Sequence, residues 1–75
     1  MYNKLLKAAI SKYKAQKDEA LANISIIFNK PVGIGEHTDF LVEIDKWIKK
    51  LSEAEENIHS LKNNFDEYGK VKGEK

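Results

Sequence analysis

From Phe40 to Tyr68 the apolar residues Phe40, Ile44, Trp47, Leu51, Ala54, Ile58, Leu61, Phe65 and Tyr68 step by 4, 3, 4, 3, 4, 3, 4, 3 with no polar interruption. Threes and fours in alternation are the period of a helix that lays one stripe along a partner helix, a heptad seam; a strand, whose side chains repeat every second residue, does not produce them. The spacing predicts a helix over about 39–68. Gly69 is then the expected C-cap, and 70–75, where Gly73 sits among alternating charges, is expected to fray.

A partner helix is available in the same chain. The segment from Tyr2 to Asn29 contains neither Gly nor Pro and is rich in Lys, Ala and Leu, all good helix formers. Its apolar residues fall at Tyr2, Leu6, Ile10, Tyr13, Ala20, Ile24 and Ile27 or Phe28, broken at Lys17, so one long helix is expected over about 2–29. The tract Ile24-Ser-Ile-Ile-Phe28 is rich in strand formers, but a lone strand has nothing to pair with here. Pro31, Gly33 and Gly35 punctuate a turn over about 30–38, which leaves Thr38 or Asp39 as N-cap of the second helix, with Gly35 as an earlier possible start.

The expected fold is all-α: an antiparallel two-helix hairpin forming a single domain over 1–69. Folding back across the turn pairs Phe28 with Phe40, Ile24 with Ile44, Ala20 with Trp47, Tyr13 with Ala54, Ile10 with Ile58 and Tyr2 with Phe65, so that large side chains meet small ones. Charge agrees with this topology. Residues 1–17 hold five Lys and no acid, and they come to lie beside residues 53–67, which hold Glu53, Glu55, Glu56, Asp66 and Glu67 against Lys62. Two helices bury only one stripe each. Leu5, Leu21, Ile26, Leu41 and Ile48 flank the seam and need a partner surface, most simply a second copy completing a four-helix bundle. That need is sharpened by size: 75 residues without a single Cys have no disulfide or Cys-type zinc site to brace a small core.

Chemistry finds little footing. His37 has Glu36 and Asp39 nearby but no second His, and His59 is some 22 residues away, roughly 33 Å along a helix. Glu56 and His59 have the Glu-x-x-His spacing of di-iron bundles, yet Ala8 to Lys14 opposite supplies no carboxylate and both residues lie off the seam. Gly33-Ile-Gly35 has neither the preceding strand nor the following Gly-Lys-Ser/Thr of a phosphate loop, and Ser11, Ser25, Ser52 and Ser60 have no adjacent base. No enzymatic activity, metal, cofactor or small-molecule substrate is expected. No run is apolar enough to be a signal peptide or membrane span, so a cytoplasmic location is expected.

The segments Pro31-Val-Gly-Ile-Gly-Glu-His-Thr-Asp39, Glu43-Ile-Asp-Lys-Trp47 and Lys50-Leu-Ser-Glu-Ala-Glu-Glu-Asn57 resemble those of small proteins encoded by T4-like tailed phages, especially phages of marine bacteria. The resemblance spans Tyr2 to Leu61 and implies a viral protein in a bacterial host cytoplasm. The group carries no established activity or site residues to transfer.

Two functions are in view. The first is association, with itself as a dimer or with a phage or host protein, through Leu21, Leu41 and Ile48 and through Ile34, which either closes the hairpin end or meets a partner. The alternative is a nucleic-acid accessory or regulatory protein contacting phosphates through Lys4, Lys7, Lys12, Lys14 and Lys17. Against it stand a net charge of only +1 and the absence of Arg, the better side chain for phosphate and guanine.

Overall fold

The structure, a computed structural model, describes residues 3–29 and 37–73. Within them the chain forms two helices, α1 (Lys4–Phe28) and α2 (His37–Asn64), packed against each other as an antiparallel hairpin. The tract Ile24–Phe28 is helical, as expected.

Helix α1 starts at Lys4 because Asn3 caps it. The Asn3 backbone is extended and its side-chain oxygen accepts from the Leu6 N–H at 3.0 Å, one of the donors a helix start leaves open. At the other end, Asn29 donates its backbone N–H (3.1 Å) and its side-chain amide (2.8 Å) to the Ser25 carbonyl. Helix α2 opens at His37, two residues before the start expected from sequence, which places Thr38 and Asp39 in its first turn rather than at the cap. The Asp39 carboxylate there faces the positive end of the helix dipole. Pro31, Val32, Gly33, Ile34 and Gly35, and the Tyr2 half of the Tyr2–Phe65 pairing, lie outside the described residues.

The seam forms where the periodicity placed it. Ala20, with no exposed surface, packs with Ile24 and Leu51, and half-buried Trp47 rests against them. Ala54 is buried further along, with Ile10, Tyr13, Ile58 and Leu61 half-buried on the same line. One pairing needs correction. Phe28 is 68% exposed, and Ile27 takes the inward place at the turn end. From Ala20 and Ile24 the next inward step is three residues, to Ile27; Phe28 comes a further 100° or so round the helix.

The larger correction is at the C-terminus. Helix α2 stops at Asn64, although Phe65 and Tyr68 continue the heptad phase. The chain instead reverses around Asp66, whose Oδ1 accepts from the N–H groups of Tyr68 and Lys70, both at 2.9 Å. Asp66 N–H donates to the Lys70 carbonyl, Lys72 N–H to the Asn64 carbonyl, and Phe65 faces Val71 across an antiparallel bridge. Lys72 Nζ reaches the Lys62 carbonyl at 2.8 Å, a cation on the open end of α2. Lys70 to Gly73, expected to fray, therefore fold back on the helix. Local hydrogen bonding by an Asp side chain competes successfully with the helix ladder.

This turn also fastens the open end of the hairpin. Asn3 N–H donates to the Glu67 carbonyl at 2.9 Å and Asn3 Nδ2 to the Tyr68 carbonyl at 3.4 Å. Gly69 is left-handed, with φ of 81°, and a Cβ there would sit 2.7 Å from Asn3 Nδ2. Gly73 has a similar φ of 76° with nothing within 4 Å of its Cβ position. Both substitutions by Ala incur the backbone penalty of about 1–3 kcal/mol, but only Gly69→Ala also displaces Asn3. Thermal unfolding followed by circular dichroism should show the larger Tm loss for Gly69→Ala; equal losses would mean that the Asn3 contact holds nothing.

Candidate functional site

The hairpin is one layer thick, with principal extents of 59 × 20 × 13 Å, so each helix keeps most of its circumference in water. Its accessible surface is 6118 Å². A compact monomer of the same mass would expose about 4,700 Å². Large apolar side chains contribute to this surface: Leu5, Ile26, Phe28, Leu41 and Val42 are 60–80% exposed, and Leu21 and Ile48 44% and 42%.

Helix geometry sorts these side chains. At 3.6 residues per turn, Leu21 and Phe28 fall on one flank of the α1 seam, and Leu41 and Ile48 on one flank of the α2 seam. Because the helices run in opposite directions, those two flanks form the same face of the hairpin. The Lys17 Nζ to Glu55 Oε2 contact at 4.0 Å fixes this, since both residues lie on those flanks and meet across the seam. In the pairing register Leu21 stands level with Ile48, and Phe28 with Leu41. Four large apolar side chains thus form a quadrilateral at the turn-proximal half of one face, each pair about 10 Å apart along its helix. Leu5, Ile26 and Val42 point elsewhere. Three of these four residues follow from the sequence as seam flanks; Phe28 does not, and its spacing of seven from Leu21 was the available signal. Ile34, the fourth contact residue expected from sequence, lies outside the described residues.

Trp47 does not join the apolar face. Its ring packs on the core on one side, and Lys46 Nζ and Lys50 Nζ stand 5.1 and 5.2 Å from its centroid, within cation–π range.

Beyond the quadrilateral the same face turns polar. Lys7 and Lys14 line a groove with Asn3, Leu6, Ile10, Ser11 and Glu67, and Lys17 follows on the same flank. Lys4 projects outward, and Lys12 lies on the opposite flank, 5.6 Å from the Tyr13 ring centroid. Three of the five N-terminal lysines, Lys7, Lys14 and Lys17, therefore share one flank of α1, while Lys4 points outward and Lys12 lies on the other side. Lys17 alone of the five is ion-paired among the described residues, which realises only part of the cross-helix charge matching expected from sequence.

Glu56 and His59 are both exposed, and the described residues contain no group of three or more His, Cys, Asp or Glu able to hold a metal ion. No helix among the described residues is long and apolar enough to cross a membrane. No family model, curated protein or solved structure matches the chain.

Lys17 and Glu55 side chains are 39% and 52% exposed, so their attraction is strongly screened. A double-mutant cycle with Lys17→Ala and Glu55→Ala should return a coupling of about 0.2–1 kcal/mol that fades at high salt. A zero coupling at low salt would remove the cross-helix contact.

Proposed function

We propose that this chain is a non-enzymatic helical-hairpin protein that acts by protein–protein association, and that Leu21, Phe28, Leu41 and Ile48 form its contact face. The observation that carries this reading is the exposure of those four side chains together on one face of a single-layer hairpin. Large apolar patches on small soluble domains mark interaction surfaces, because leaving them in water costs roughly 25 cal/mol for each Å². The resemblance to small proteins of T4-like tailed phages supports a phage origin, with a phage or host protein or a second copy as partner and the bacterial cytoplasm as the setting.

The net charge of only +1 and the absence of Arg support association over nucleic-acid binding, although Lys7, Lys14 and Lys17 do share one flank of α1. The two readings part in salt. Apolar association persists at high ionic strength, whereas phosphate contacts weaken steeply as counterions return.

Sedimentation at micromolar concentration should show an assembly that survives raised salt and requires no nucleic acid. Leu21→Glu with Ile48→Glu should abolish it while helix content by circular dichroism is kept, since neither side chain belongs to the buried core. An assembly indifferent to this double substitution would place the contact elsewhere, and a salt-sensitive complex with DNA or RNA would favour the alternative.

A further inference from the structure

Resting on that reading, we infer that the occupant of the apolar face is a second copy of this chain, docked with its two-fold axis parallel to the long axis of the hairpins, so that both turns lie at the same end of a four-helix bundle.

The argument begins with the symmetry of the face itself. A two-fold axis of this kind lays the α1 flank of one copy on the α2 flank of the other, level by level, and an isologous contact requires the two flanks to be mutually complementary. They are. Leu21 is level with Ile48 and Phe28 with Leu41, so each apolar residue of one flank meets an apolar residue of the second copy's other flank. Every neighbouring pair of helices is then antiparallel, which sets helix dipoles in opposition around the bundle.

Beyond the apolar half the charges mark this docking without favouring it, since one level pair attracts and one repels. Glu55, the acid of the Lys17 contact, stands level with the second copy's Lys14, which makes no ion pair within its own chain among the described residues. Ser52 is level with the second copy's Lys17, and His59 with its Ile10 and Ser11, which line the groove. One juxtaposition is unfavourable: Lys62 is level with the second copy's Lys7. Surface area is consistent with the same occupant. The hairpin exposes about 1,400 Å² more than a compact monomer of its mass, and a standard interface takes about 800 Å² from each partner.

A copy docked the opposite way round, with turns at opposite ends, also covers the quadrilateral but brings neither Lys14 near Glu55 nor Lys62 near Lys7. The two arrangements are separated by distance and by charge. The chain has no native Cys, so Ser60→Cys, exposed on α2, takes a single spin label. Pulsed electron–electron resonance on the assembled protein should give about 30 Å between the two labels for the inferred arrangement and about 50 Å for the opposite one, from 1.5 Å of rise per residue on either side of the apolar face. Lys14→Glu should weaken the dimer threefold or more, and Lys62→Glu should tighten it by a similar factor, roughly what exposed pairs made twice across the two-fold axis supply.

Labels at about 50 Å, or a dimer indifferent to both charge reversals, overturn the inferred arrangement and leave self-association standing. A chain that stays monomeric at high concentration, yet loses capture of a phage or host protein on Leu21→Glu, overturns the second copy as occupant while the association reading survives. A monomer whose Leu21→Glu variant changes no binding overturns both.

Discussion

Two helices in a single layer can bury only one stripe apiece, and everything else in this molecule follows from that limit. The buried core amounts to Ala20, Ile24, Leu51 and Ala54, with Trp47 resting against it. Ala20 is pivotal because its lack of side-chain bulk lets α1 approach closely enough for Leu51 and Trp47 to cover it completely. No cysteine braces this core, and its buried residues occupy only a few turns of the seam. Stability has to be supplemented at the open end and on the flanks.

The open end is fastened by hydrogen bonds rather than by apolar contacts. Asp66 organises a turn through two backbone N–H groups, Gly69 provides the left-handed residue that the turn needs, and Asn3 ties the start of α1 to it. Asn3 thus serves two ends at once: its side-chain oxygen caps α1 while its N–H groups reach the chain after α2. The flanks are a different matter, because no residue of the same layer can cover them. The exposed quadrilateral of Leu21, Phe28, Leu41 and Ile48 is the consequence, and it connects the geometry of the fold to the proposed mode of action.

The sequence made the seam legible because periodicity is a long-range average: from Ile44 to Leu61 threes and fours alternate without exception, and burial follows them. Local decisions were harder to read. Phe65 and Tyr68 keep the heptad phase, so periodicity alone carries the helix through them, whereas the actual end depends on a side-chain carboxylate capturing two N–H groups beyond Asn64. The start of α1 depends in the same way on one side-chain oxygen of Asn3. Ile27 and Phe28 were indistinguishable by spacing until the register of the two helices was fixed. The contact face was half legible for the same reason: Leu21, Leu41 and Ile48 stand out as seam flanks, but that they share one side with Phe28 is a property of two helices in register, not of either helix alone.

The central claim is that this hairpin is completed by a second copy covering its apolar face, and the most direct test is the dependence of thermal stability on protein concentration. Binding that involves only the folded state raises the melting temperature by mass action. Unfolding of the unmodified chain, followed at 222 nm from about 1 to 200 µM, should show a Tm that climbs steadily with concentration. A Tm that stays constant across that range, with a fully cooperative transition, would mean that the single hairpin is stable with its face in water, and the account would be contradicted.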